Sequence, residues 1–250
     1  MSTIDMTGKV AVITGGSSGI GRAAALAFAA VGARVAIGAR RVEEGRETVA
    51  LVKKHGGEAL FVQTDVRDAR QVEQLIAKTV SQWHRLDYAF NNAGIEGAAV
   101  KTHEYDEATW DDVIDINLKG VFLAMKYEIP HMLAHGAGAI VNMASIAGLV
   151  GGPIGIAYFA SKHGVVGMTK AAALEYAGAG IRVNAACPAV IGTDMADRLF
   201  GEAASTAELH PLGRIGTPEE VAHAVVWLCS PQAAFITGVA LPIDGGYVAQ

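Results

Sequence analysis

Short apolar runs alternate with helical stretches along the whole chain, and that alternation limits what the sequence can fold into. The runs are KVAVIT (9–14), ARVAIG (33–38), EALFVQTDV (58–66), LDYAFNNAG (86–94), GAIVNMAS (138–145), IRVNAAC (181–187) and GVALPID (238–244). Between them lie helical patterns over 21–32, 42–57, 68–84, about 111–134, about 156–177 and 217–228. Asp68 is placed to cap its helix. Thr217, Pro218 and Glu220 form a capping box with proline in the first turn. Several strands are apolar throughout, as strands covered on both faces are. The expected fold is α/β: a single doubly wound, seven-stranded parallel sheet, Rossmann-like, with helices on both faces. No linker or internal repeat divides residues 1–250, so one domain for dinucleotide binding and catalysis is expected.

Charge and cysteine usage narrow the partners. A formal net charge of −5 gives no electrostatic case for nucleic acid or an anionic membrane. Cys187 and Cys229 are too few and too far apart for a disulfide framework or a zinc site, which suits a reducing, cytoplasmic setting. Residues 1–9 carry Asp5 and Lys9 without an apolar run, so no secretory leader is expected. Segments 129–161 and 221–243 lack Lys, Arg, Asp and Glu, but Pro130, several glycines and Ser230-Pro231-Gln232 interrupt them. Buried strands and packed helices account for both, and no membrane span is expected.

VITGGSSGIGRA (12–23) joins the first strand to the first helix. Gly15, Gly19 and Gly21 let the chain turn sharply and let a pyrophosphate approach the backbone. The helix beginning near Ile20 then points free N–H groups and its positive dipole end at that anion. Ser17, Ser18 and Ile20 belong to the same turn. The end of the second strand faces the adenosine ribose in such folds. An acidic residue there selects NAD. The sequence is instead Gly38-Ala39-Arg40-Arg41, with two guanidiniums available for a 2′-phosphate. NADP is therefore expected over NAD. Asp65 and Val66, after the third strand, are placed to bracket the adenine.

These features accumulate into a family likeness. TGGSSGIG (14–21), NNAG (91–94), IN ending at Asn117, NMAS ending at Ser145, YFASK (158–162), ACPAVIGTDM (186–195) and IDGG (243–246) follow one another at family spacing. The chain resembles the short-chain dehydrogenases/reductases of about 250 residues, nearly end to end. Where the family pattern commonly has glycine after Pro188, this chain has Ala189. The resemblance implies hydride transfer between a nicotinamide cofactor and a carbonyl or secondary alcohol. It assigns catalysis to Asn117, Ser145, Tyr158 and Lys162. Tyr158 exchanges the proton, Lys162 also meets the nicotinamide ribose, and Asn117 supports a water linked to Lys162. Asn92, Ala93 and Gly94 lie beside the cofactor, and Pro188, Ile191 and Thr193 flank the nicotinamide amide.

The chemistry explains why a phenol and an ammonium stand four residues apart. A free tyrosine, with a pKa of about 10, is too weak an acid to act as a base at neutral pH; lowering it by about 3 units takes roughly 4 kcal/mol. A lysine one helical turn away is expected to supply much of that. Ser145 is expected to steady the substrate oxygen. No metal site is expected, since His131, His135, His163 and His210 lack ligand spacing and read as surface or packing residues. A cation gathered near Gln250 at a subunit junction stays open.

Residues 192–212 are expected to form a substrate lid. Met195, Leu199 and Phe200 would give it an apolar face opposite Ile95, Ile146, Leu149 and Ile154. Such a pocket suits a small or medium apolar ketone or alcohol. The alternatives are a 3-oxoacyl carrier-protein reductase, a sugar or polyol dehydrogenase, and an NADP(H)-binding redox sensor without turnover. The segments 131–138 and 173–180 offer no Lys or Arg to an acidic carrier. A homo-oligomer, a tetramer by family habit, is expected from the two long, low-charge helices.

Overall fold

The structure is a computed structural model that describes residues 4–201 and 203–250. Residues 1–3 of the amino-terminal stretch and Glu202 of the expected lid lie outside the described residues. Seven parallel strands form one sheet: β1 (Val10–Thr14), β2 (Arg34–Ala39), β3 (Ala59–Gln63), β4 (Tyr88–Asn91), β5 (Gly138–Met143), β6 (Ile181–Pro188) and β7 (Ala240–Ile243), in the order 3-2-1-4-5-6-7. The order reverses between β1 and β4, whose registers bring Thr14 opposite both Gly38 and Asn91. That reversal opens a crevice at the carboxyl ends of β1 and β4, the usual ligand position in such sheets.

Alternating strand residues feed two layers. Ala11 and Ile13 of β1 face α1 (Gly19–Ala30), α2 (Val42–Lys54) and α8 (Pro218–Cys229). Val10 and Val12 face α3 (Ala69–Trp83), α5 (Gly120–His135) and α6 (Ile156–Tyr176). All five β1 residues are buried, which is why that run carries no polar alternation. Asp68 caps α3 by accepting from the Arg70 N–H, and the capping box of Thr217 and Glu220 opens α8.

Two elements differ from the sequence reading. The helical region expected over 111–134 begins earlier, as α4 (Glu107–Ile114), and then widens into a π turn at Asp115–Lys119 before α5. Ile116 and Asn117 within it are both buried. The expected lid contains α7 (Asp194–Phe200), capped by the Thr193 hydroxyl, and a 3-10 stretch at Ala203–Leu209. Among the described residues, no helix is long and apolar enough to cross a membrane.

Candidate active site

The glycine turn is held against the exit of β4. Asn92 Nδ2 donates to Thr14 O at 3.1 Å and to Gly15 O at 3.2 Å, while Thr14 Oγ1 accepts from the Asn92 and Ala93 N–H groups. Gly15 has φ +67°, and a Cβ there would press on Ala93 Cα and Asn92 Nδ2 at 2.9 Å. A Cβ on Gly21 would collide with Gly15 O. Gly19, at φ +50°, faces Thr193 across the cleft. Ser18, at the head of α1, makes no side-chain cap, so its hydroxyl leaves the first-turn N–H groups to an incoming anion. These features fit a dinucleotide pyrophosphate.

The basic residues Arg40 and Arg41 follow β2, beside the glycine turn. Arg41 Nη2 reaches Ser18 Oγ at 2.5 Å and Ser17 Oγ at 3.4 Å, across the glycine turn. Arg40 is exposed at the end of β2 and adds positive potential at Asp65. The Asp65 carboxylate is occupied by the Arg67 guanidinium, at 2.7 Å from Nη2, and is held below the usual carboxylate range by it. Val66 is buried, packed against Gly120.

A cavity of about 410 Å³ continues from this turn to the lid. Ile20, Asn92, Gly94, Pro188, Ile191 and Thr193 line its cofactor side, with Tyr158 and Lys162 at the junction. Ser145, Ile95, Ile146, Ile154, Met195, Leu199 and Phe200 line the rest. Leu149 does not: it is half-buried and packs against the core cluster that includes α6 residues. The structure adds Val150, Phe159, Leu209 and Tyr247 to the wall. Phe159 directly follows Tyr158 on α6; Tyr247 comes from the far end of the chain and carried no local signal.

The four expected catalytic residues converge, but Asn117 stands behind the cavity. Its Oδ1 accepts from Ile95 N at 2.8 Å and its Nδ2 donates to Ile95 O at 2.9 Å. A Cβ on Gly94 would meet Asn117 Oδ1 at 3.2 Å and Lys162 Nζ at 3.7 Å, so the two groups flank that glycine. Lys162 Nζ donates to Met143 O at 2.8 Å. Ser145 accepts from Ala147 N, as a helix-capping serine does, and donates to Pro188 O at 3.4 Å. Its side chain also lies close enough to Tyr158 to draw the phenol's pKa down.

Burial dominates the electrostatics of the Tyr158 and Lys162 pair. Burial pushes the Tyr158 phenol above its ordinary value; the Ser145 side chain pulls it down and the Glu96 charge pushes it further up. Burial pushes Lys162 down to about 8. The ammonium lies 5.5 Å from the phenol ring centroid and is bonded to a carbonyl instead. Desolvation thus favours the neutral form of both groups.

Two further contacts escaped the sequence reading. Arg198 of α7 pairs with Glu96 after β4, Nε to Oε1 at 2.7 Å, tying the lid to the cofactor-side loop. His210 is buried: its Nδ1–H donates to Thr206 O at 3.1 Å and its Nε2 accepts from Val190 N at 3.4 Å. Among the described residues, no three His, Cys, Asp or Glu side chains gather as a metal site.

A family profile described as enoyl-(acyl carrier protein) reductase matches residues 15–248. The chain belongs to the short-chain dehydrogenase/reductase family. It is 44% identical over 242 residues to cyclohexanol dehydrogenase of Acinetobacter sp. (strain SE19), covering 97% of this chain and 96% of that one. It is 44% identical over 243 residues to cis-4-hydroxycyclohexanecarboxylate dehydrogenase of Sinomonas cyclohexanicum, covering 96% and 97%. The crystal structure of levodione reductase superposes with a TM-score of 0.94 at 38% identity, covering 98% and 99%. As a member of this family, the chain is an NAD(P)-dependent oxidoreductase of alcohols and ketones.

The depressed lysine has a measurable signature. A lysine with a folded-state pKa of about 8 and an unfolded value of 10.5 binds fewer protons when folded between those pH values. Its burial therefore costs stability below pH 8, and that cost fades as pH rises to 10.5. Relative to Lys162→Met, the wild type should gain up to about 3 kcal/mol between pH 8 and 10.5 in denaturant titrations. A constant difference across that range would show that burial does not destabilise the ammonium.

Proposed function

We propose that the enzyme interconverts a small or medium apolar ketone and its secondary alcohol, with a six-membered ring as the characteristic substrate and NADP(H) as the preferred cofactor. One observation carries this reading: the Tyr158 and Ser145 side chains lie in the wall of a cavity lined mainly by apolar groups. The named activities of the two relatives above, on alcohols of a cyclohexane ring, support the ring size. Arg41 across the glycine turn supports NADP.

The bound nicotinamide supplies or accepts the hydride. The protein handles the proton and the geometry. Tyr158, kept protonated by burial, gives its proton to the carbonyl oxygen in reduction and recovers one from the alcohol in oxidation. Ser145 holds the same oxygen from its place after β5. Lys162 is the sole cation of the cavity wall among the described residues, and its charge stabilises the phenolate left after transfer. Asn117 fixes the Gly94–Ile95 loop that faces Lys162. Residues 192–212 act as the lid, with Met195 and Leu199 turned to the substrate.

The sparse polar lining disfavours a polyol. A 3-oxoacyl group remains the second reading, favoured by Lys101 in a neighbouring cavity that shares Gly151, Gly152, Pro153 and Phe159 with the first. The intact hydroxyl pair disfavours a sensor without turnover. Phe122 and Leu133 on α5, with Ile156 and Leu174 on α6, are exposed and would pair these helices between copies in a homo-oligomer, a tetramer by family habit. Two buried free thiols suit the cytoplasm.

In a panel of cyclic ketones, open-chain ketones and 3-oxoacyl thioesters, the highest kcat/KM should fall on a cyclic ketone; a thioester at the top would replace the proposed substrate class. Tyr158→Phe should lower kcat about 10²- to 10⁴-fold while NADPH still binds. Wild-type turnover in that variant would remove Tyr158 from the proton transfer. Arg41→Ala should weaken NADPH binding about tenfold or more and leave NADH nearly untouched; equal effects on both would end the NADP assignment. Light scattering should give a mass several times that of one chain, and a monomer would refute the helix pairing.

A further inference from the structure

Glu128, on α5, is completely buried and takes no part in the chemistry above. Its Oε2 accepts from Asn91 Nδ2 at 3.1 Å. The same Asn91 nitrogen donates to Asn142 Oδ1 at 3.0 Å, and Asn142 Nδ2 donates to Thr169 Oγ1 at 3.0 Å. One polar chain thus runs from α5 through β4 and β5 to α6. Both Asn91 donor hydrogens are spent on it. Two buried atoms remain without a partner, and they belong to adjoining side chains: Asn91 Oδ1 and Glu128 Oε1.

A carboxylate cannot resolve this. Two acceptor oxygens offer each other nothing, and an ionised carboxylate here would stand without a counter-charge. Lys78 on α3, Lys126 on α5, and Lys170 and Glu175 on α6 are all exposed. Lys162 on α6 is buried but spends its ammonium on Met143 O. Asp87, at the opposite end of β4, is held by Lys9 and Arg85. Tyr127 on α5 and Tyr176 on α6 contribute phenols, not cations, to this layer.

We propose that Glu128 is a neutral carboxylic acid whose Oε1 proton is donated to Asn91 Oδ1, closing a two-bond acid–amide pair that positions the exits of β4 and β5. The pair fills both orphan atoms at once and removes the unpaired charge. Its place explains its value to the enzyme. Asn91 leads directly into Asn92–Gly94, which brace the glycine turn, and Asn142 leads into Met143 and Ser145, which meet Lys162 and the reacting oxygen. Burial works in the same direction, pushing the Glu128 carboxyl up to about 8. Glu128 is a positioning residue in this scheme, not a catalytic one.

The protonation state can be read directly and through linkage. Infrared spectra of the native wild type at pH 6.5 should contain the C=O band of a protonated carboxylic acid, at a pH where ordinary carboxyls are ionised. That band should vanish in Glu128→Gln. A carboxyl whose folded pKa is raised binds its proton more tightly when folded, so stability is lost as pH climbs from the unfolded value toward the folded one. Relative to Glu128→Gln, which cannot ionise, the wild-type folding equilibrium constant should fall about a hundredfold or more between pH 5 and 8, then level off. Absence of the band from native wild type overturns the proposal, and so does a wild-type-to-Gln difference that stays constant over that range. The infrared measurement on wild type decides the matter even if the variant fails to fold.

Discussion

The close approach of the β1–α1 turn to the exit of β4 governs the architecture of the site. Gly15 meets Asn92 and Ala93 with no room for a Cβ, and Gly21 meets Gly15 O in the same way. Asn92 and Thr14 lock the contact through reciprocal hydrogen bonds. The sheet order reverses at this seam, so it is also where the crevice opens. The glycine turn, Lys162 and the cavity are all arranged outward from it.

Desolvation is the second organising influence. It raises Tyr158, lowers Lys162 and raises Glu128, in each case favouring the neutral form. A site with few charges and an apolar wall has little means to hold ions apart from the reacting pair. The same feature that suits an apolar ketone therefore keeps the proton donor protonated. Binding a positively charged cofactor form and expelling water would alter that balance at Tyr158, because the phenolate gains where cations gather.

Much of this was legible in the chain itself. Runs such as VAVIT and IRVNAAC announce buried parallel strands because both their faces must be apolar. Thr217-Pro218-Glu219-Glu220 announces a helix start because its groups satisfy orphan N–H donors locally. Tyr158 and Lys162 share a helix face by spacing alone. Other features resisted such reading. Thr193 and the Met195/Leu199 spacing do signal α7, yet the surrounding glycine and polar residues read as lid. The π turn at Asn117 leaves no mark in periodicity. Glu128 looks like a helix-surface residue until Asn91, Asn142 and Thr169 are brought to it by three other elements.

The sequence by itself determined the element order, the parallel sheet and the glycine turn, because each depends on neighbours within a few positions or on backbone freedom, while the candidate reacting side chains came from the family likeness. The tertiary structure alone decided the electrostatic outcome. That Lys162 bonds Met143 O, that Arg41 lies over Ser18, and that Tyr247 but not Leu149 faces the cavity depend on burial and on residues distant in the chain. Solvation and long-range contact have no local pattern, so folding had to settle them.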